Sequence, residues 1–232
     1  MNQVYATNKL LADLPRKNYL RLLPRLESVT LKFGDELHCP REAIRYVYFP
    51  IDCLVSLLTA VDGRPALEVG LVGCEGMVGI SLALGVGDSP VSALVQGSGT
   101  AFRMKSTHFL TEFRHNLPLQ RAVNRYIYEM LVQITQTAVC NRFHEVEARL
   151  ARWLLMTRDR VGTTQFRLTQ DMLAGMLGVL RVAVTKAARS LQKRNVINYR
   201  RGEISILDNK ALEAAACPCY QIVKSKPSAT RV

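Results

Sequence analysis

The chain has 232 residues, with 31 Lys and Arg against 19 Asp and Glu, a formal net charge of +12 and a pI near 9.7. Its 48% hydrophobic and 22% charged residues supply enough apolar surface for real cores, which excludes a disordered chain and a small fold dependent on disulfides or a structural metal. So basic a balance favours an anionic partner, and Arg142 to Arg201 alone holds 13 Lys and Arg against 4 Asp and Glu, three quarters of the net charge in one module.

The first twenty residues carry no charged-apolar-small signal pattern, and no run approaches the roughly 18 apolar residues of a membrane span, so a cytoplasmic location without a membrane partner is expected. From about Leu26 to Met104, short apolar runs (Val29–Leu31, Tyr46–Phe49, Leu54–Leu58, Leu67–Val72) alternate with Gly, Pro and Asp, the pattern of a small antiparallel barrel or jelly roll. Six glycines between Gly70 and Gly87 point to tight turns, either around a ligand or at a barrel corner.

After Asn116-Leu117-Pro118, where proline suits a first helical turn, no Gly or Pro appears until Gly162. Val123, Ile127, Met130, Ile134 and Thr137 recur at alternating four- and three-residue steps there, the repeat of a two-helix seam, and point to a homodimer interface or to packing on the chain's own barrel; Leu119, Tyr126, Leu131 and Val132 widen the apolar face enough for one side to meet each. A second helix is expected from near Glu145, with Val146, Leu150, Trp153, Leu154 and Met156 inside and Glu147, Arg149, Arg152, Arg158 and Arg160 mostly outside.

Leu168 to Ile197 has the build of a helix-turn-helix. Thr169 is an N-cap candidate, Leu173, Ala174 and Leu177 give a buried face, and Gly178 suits the left-handed turn residue. The second helix, roughly Leu180 to Arg194, buries Val184, Ala187, Ala188 and Leu191 and turns Arg181, Val182, Thr185, Lys186 and Arg189 outward. Such a helix fits the DNA major groove, with Arg181, Thr185 and Lys186 as candidates for base edges, and Arg189, Lys193 and Arg194 facing phosphate or solvent. Two alternating runs flank Arg200-Arg201-Gly202, a basic-tipped hairpin read as a wing, and Thr169 and Gln170 join the expected DNA contacts.

The fold expected is α+β: a sensor barrel with an N-terminal helix over 1–115, a dimerisation helix over 116–143, a winged helix-turn-helix over 144–220 and a basic flexible tail over 221–232. In the order Leu168-Thr169-Gln170-Asp171, Ala174, Met176-Leu177-Gly178-Val179, Arg181, Val184-Thr185 and Arg201-Gly202, the chain resembles the CRP/FNR family of bacterial transcription regulators. Glu75-Gly76-Met77-Val78-Gly79, Gln136 to Arg142, Arg149 to Met156 and Ala216-Cys217-Pro218-Cys219-Tyr220 resemble a subgroup of that family without a generally assigned effector. The resemblance implies a cyclic-nucleotide-binding-like sensor. Its implied partners are operator DNA, a second copy of the chain, an effector of unknown identity and, for an activator, RNA polymerase.

Two departures touch the DNA-reading helix. Leu180 stands where many members have Ser, and Val182 where many have Glu, so an acceptor for cytosine N4 is missing and the family's usual operator is not expected. In the sensor, Gly76, Met77, Val78, Gly79, Ile80, Val91 and Ser92 mark the candidate ligand loop. The family's Gly-Glu and Arg-Ser ligand pairs fall on Gly79-Ile80 and Val91-Ser92, which lack both charged ligands, so cyclic AMP bound in the usual way is not expected.

The six cysteines, at 39, 53, 74, 140, 217 and 219, form no secreted disulfide framework, and reduced thiols are expected. Cys39 and Cys53 are too sparse for an iron–sulfur group, whereas Cys74, with His38, His108 or His115, stands where haem-sensing relatives recruit axial ligands. Cys217 and Cys219 suit a redox or metal role but fall short of a zinc site as a pair, and Cys140 with His144, four apart on a helix, reads as hinge packing. No metal or required cofactor is therefore assigned. No catalytic residue is assigned either, because the four histidines form no short metal-binding motif of an enzymatic barrel.

Overall fold

The computed structural model describes residues 8–60 and 66–225. The chain divides into two units, Met1–Leu58 with Leu71–Tyr128, and Thr59–Gly70 with Glu129–Val232.

In the first unit, α1 (Lys9–Ala12) and α2 (Arg16–Leu22) precede β1 (Glu27–Leu31), β2 (Glu36–His38), β3 (Tyr46–Pro50) and β4 (Leu54–Thr59). Then come β5 (Leu67–Val72), whose residues up to Gly70 belong to the second unit, a 3-10 turn (Ile80–Leu84), β6 (Ser92–Gly97), β7 (Gly99–Lys105) and α3 (Ser106–His115). Among the described residues the strands form two sheets of the jelly-roll kind, ordered β1-β7-β3 and β2-β6-β4-β5, antiparallel at β1·β7, β3·β7, β2·β6 and β4·β6, rather than one closed barrel. All four strands expected from the apolar runs are present; β2, β6 and β7 were not singled out because polar and glycine residues dilute their alternation.

β3 carries Val47, Tyr48 and Phe49, all buried, on both its faces, as β-branched and aromatic residues on a doubly covered strand should be. Glu112 of α3 is 1% exposed and is held by Arg21 Nε at 2.8 Å and Arg25 Nη1 at 3.0 Å, so its charge is buried as part of a triad.

The 27-residue α4 (Leu117–Phe143) starts where Asn116 Oδ1 accepts the N–H of Leu119 at 3.2 Å, a side-chain cap just before Pro118. Gly76, in the glycine-rich loop, is pressed against the ring of Tyr126 on this helix, and a Cβ at that position would overlap the ring. A close backbone approach, rather than a flexible loop, accounts for this glycine.

The second unit is built on α5 (Val146–Val161), followed by β8 (Gln165–Arg167), α6 (Gln170–Leu177), α7 (Arg181–Lys193), β9 (Ile197–Arg200), β10 (Glu203–Ile206), α8 (Asn209–Ala215) and α9 (Cys219–Lys224). The strands form one antiparallel sheet, β8-β10-β9. Leu150, Leu154 and Leu155 of α5 are fully buried, and Trp153, 5% exposed, donates its indole N–H to Glu68 Oε1 of β5 at 2.7 Å.

Two of the arginines expected outside are inside: Arg149 and Arg152 are each 7% exposed. Neighbouring elements supply their acceptors: Arg149 Nη2 donates to Asn141 Oδ1 at 2.7 Å and to the Leu177 carbonyl, and Arg152 Nη2 to Thr137 Oγ1 at 3.1 Å. Arg158 is half-buried in a network with Asp159, Asn209, Glu213 and Tyr220. Of the expected tail, residues up to Lys224 continue α9, and 226–232 lie outside the described residues.

Candidate nucleic-acid interface

Thr169 caps α6: its backbone is extended and its Oγ1 accepts the N–H of Met172 at 3.2 Å. Leu173, Met176 and Leu177 are the buried side of α6, and the helix stops at Gly178, whose φ of +61 favours glycine. A Cβ on Gly178 would also stand 2.6 Å from Leu67 Cδ1, so the turn is tight as well as left-handed.

α7 follows after two residues and buries Val184, Ala187, Ala188 and Leu191, the four positions expected. Its other side carries Arg181, Lys186 and Arg189 in solvent, beside Leu180 at 76% and Val182 at 70% exposure. Thr185 is half-buried: its hydroxyl donates to Gln170 Oε1 at 2.6 Å, with the Arg181 carbonyl at 3.0 Å. Thus Gln170 and Thr185 hold the two helices together as well as lying near their common surface. Arg181 Nε lies 3.6 Å from Asp171 Oδ1 in an exposed ion pair, and Arg194 is engaged by Glu147.

In the hairpin, Glu203 pairs with Arg200, leaving a two-residue loop of Arg201 (φ +52) and Gly202 (φ +81). Both central residues are left-handed, as a type I′ turn requires, and Arg200 and Arg201 are exposed at the tip. Tyr199 Oη donates to the Leu168 carbonyl at 2.8 Å and fixes the hairpin beside the start of α6; burial pushes this phenol above its ordinary range.

In the first unit, Met77 and Val78 are 1% and 2% exposed, and Gly76 is covered by Tyr126, so these three candidate ligand residues serve the core. Gly79 (φ +99) starts the 3-10 turn with Ile80; Ile80 is half-buried, as are Val91 and Ser92 at the start of β6. His38 Nε2 donates to the Tyr46 carbonyl oxygen at 2.8 Å, and burial lowers the His38 pKa below the usual imidazole value. Cys74 is buried, while His108 and His115 are exposed.

Of the seam residues on α4, Val123 and Met130 are 0% and 2% exposed within the chain itself, so they leave no surface for a partner. Ile127 and Thr137 are half-buried and Ile134 is exposed; the exposed apolar residues of the same helix include Tyr128 and Leu131. Of the five expected seam residues, two therefore face the chain's own core and three keep surface of their own.

Away from the exposed side of α7 and the hairpin tip, the sulfurs of Cys140, Cys217 and Cys219 and a ring nitrogen of His144 converge, all within 4.8 Å of one another. Two pairs set aside separately in the sequence are one cluster in the fold. Contact with Cys217, reinforced by His144 and Arg152, draws the Cys140 pKa down to about 5, and the same contact pushes Cys217 up.

Residues 148–215 match the Crp-like helix-turn-helix domain. No curated protein matches the chain. Among solved structures, FixK2 from Bradyrhizobium japonicum is similar at a TM-score of 0.71 and 12% identity, over 83% of this chain and 98% of that one. The c-di-GMP responsive global regulator CLP of Xanthomonas campestris is similar at 0.67 and 17%, over 84% and 100%. A CRP-family transcriptional regulator from Thermus thermophilus gives 0.65 and 16%, over 87% and 100%. Among the described residues no helix is long and apolar enough to cross a membrane.

Proposed function

Because this chain has the CRP/FNR fold and residues 148–215 are a Crp-like helix-turn-helix domain, we propose that it is a cytoplasmic, non-enzymatic transcription regulator that reads operator DNA as a homodimer. The observation that carries this reading is α7, whose inner side is fully packed while Arg181, Lys186 and Arg189 stand free of the core beside a basic hairpin tip. Arg181 and Lys186 supply the long donors that reach guanine O6 and N7, and exposed Val182 offers an apolar contact for a thymine methyl where a carboxylate would seek cytosine. Thr169, Gln170, Arg189, Arg200 and Arg201 fix the register through phosphates, and Thr185 positions Gln170 as well as facing the groove.

The dimer seam in this reading runs along Tyr128, Leu131 and Ile134, with Ile127 and Thr137 at its margin. The first unit is the sensor, with Gly79, Ile80, Val91 and Ser92 nearest an effector other than cyclic AMP in its usual pose. If the protein activates, RNA polymerase is the further partner.

Selection from fragmented genomic DNA followed by footprinting tests the proposal. The expected product is a two-fold symmetric site of roughly 20 base pairs, with half-sites about one DNA turn apart and binding that weakens steeply with salt. Failure to enrich any symmetric site, or equal affinity for random and selected DNA, overturns it. A monomer by light scattering at micromolar concentration overturns the seam alone.

A further inference from the structure

The end of α4 and the segment between α8 and α9 are far apart in sequence, yet they deliver four soft or borderline donors to one point. Cys140 and His144 are one helical turn apart, held by the bond from the His144 N–H to the Cys140 carbonyl at 3.2 Å. Cys217 and Cys219 flank Pro218, and the Tyr220 N–H returns to the Cys217 carbonyl at 3.1 Å, so this pair too is set by a turn. We infer that Cys140, His144, Cys217 and Cys219 are a tetrahedral Cys3His site for zinc.

The four ligand atoms, all within 4.8 Å of one another, bracket the separations of ligands around one ion. With Zn–S of about 2.3 Å and Zn–N of about 2.0 Å, tetrahedral ligands stand about 3.8 Å apart for two sulfurs and about 3.5 Å for sulfur and nitrogen. Cys219 Sγ lies 3.6 Å from His144 Nδ1, and Cys140 Sγ lies 3.3 Å from Cys217 Sγ, far longer than a disulfide. Cys140, Cys217 and Cys219 are 1%, 4% and 2% exposed, with Ala148 packed against them, and His144 is half-buried, so the three sulfurs are shielded from water and the imidazole closes the remaining side. Four protein ligands fill a tetrahedron, which is the make-up of structural rather than catalytic zinc.

Charge supplies a second, independent argument. Three thiolates, one neutral imidazole and a divalent ion leave one net negative charge, which burial would penalise without a cation nearby. Arg149 and Arg152 are buried, and the acceptors they reach are neutral, the Asn141 Oδ1 and Leu177 carbonyl for Arg149 and Thr137 Oγ1 for Arg152, so their charge is left to offset that of the cluster. The same Arg149 donates to the Leu177 carbonyl at the end of α6, so the site is linked through one side chain to the helix-turn-helix turn. Zinc there fastens the end of α4 to α9 and braces the DNA-facing turn from behind. This assignment does not depend on the DNA-binding proposal.

The test uses the full chain, purified with reductant and without chelator, and counts zinc by inorganic mass spectrometry. One ion per chain is expected. Exchange with Co2+ is expected to give a thiolate-to-cobalt charge-transfer band and the intense visible bands of tetrahedral cobalt. Cys217→Ser and Cys219→Ser are expected to lower zinc affinity by more than the roughly 10–100-fold that loss of an outer-shell partner costs, whereas Cys39→Ser, outside the cluster, keeps it. Wild-type protein that takes up no zinc and shows no thiolate–cobalt band overturns the inference without reliance on any variant. Metal content unchanged in both serine variants overturns it as well, as does a Cys140–Cys217 disulfide in metal-free protein prepared without oxygen, which would make the cluster a redox pair.

Discussion

Thr185 donates its hydroxyl to Gln170 Oε1 at 2.6 Å, so the two helices of the helix-turn-helix are tied by side chains on the surface proposed to meet the groove. Thr185→Val keeps the shape of the residue and removes the bond. A stability loss of about 0.5–1.5 kcal/mol is expected from urea denaturation, with a larger proportional loss of affinity for the selected operator than for random DNA. Equal losses on both DNAs would mean that the tie positions nothing that reads sequence.

Arg181 and Asp171 form an exposed pair, which is worth little to stability. Arg181→Ala should leave the denaturation midpoint nearly unchanged and cost about 1–3 kcal/mol in specific binding, with relaxed preference at one base pair per half-site. Asp171→Asn should act oppositely on affinity, tightening binding to any DNA, because an anion beside the phosphates is removed and the guanidinium is released. Gel-shift titrations at two salt concentrations separate these outcomes.

The second unit was largely legible in the sequence because its signals are local. A cap at Thr169, a glycine at position 178, the 3.6-residue spacing of Val184, Ala187, Ala188 and Leu191, and an Arg-Gly tip each fix their own turn of chain. Arg149 and Arg152 were misplaced because charge alone reads as surface, whereas their acceptors come from Asn141, Leu177 and Thr137. The cysteine cluster was illegible for the same reason: its partners are separated by 77 and 75 residues, and no local spacing announces that they meet. On α4 the periodicity was present, but a side packed on the chain's own core and a side left exposed give the same apolar repeat, and Tyr128, Leu131 and Ile134 are distinguished only by their exposure.

Gly76→Ala places a methyl group into the Tyr126 ring, and a loss of about 1–3 kcal/mol is expected from thermal or chemical unfolding. Gly87→Ala is the matched control, since nothing lies within 4 Å of its added Cβ and its φ is not left-handed; no loss is expected there. Equal destabilisation by both substitutions would show that the Tyr126 approach is not what demands glycine.

His38 gives the first unit a pH dependence of defined sign. Its folded pKa lies below the ordinary 6.5, chiefly because burial disfavours the imidazolium. Below 6.5 the unfolded chain therefore binds the proton more readily than the folded one, and stability falls as the pH drops from there to the folded pKa. Denaturation curves across that window should show this slope in the wild type and a shallower one in His38→Gln. An identical slope in the variant would assign the effect elsewhere.

Trp153 is the chain's single tryptophan, and it is buried with its indole N–H on Glu68. All tryptophan emission from the wild-type protein therefore comes from one joint inside the second unit, where Trp153 of α5 meets Glu68, so that unit carries its own optical probe. A red shift on addition of DNA, zinc or a small molecule would record that joint opening to water, and an unchanged spectrum would record that it stays shut.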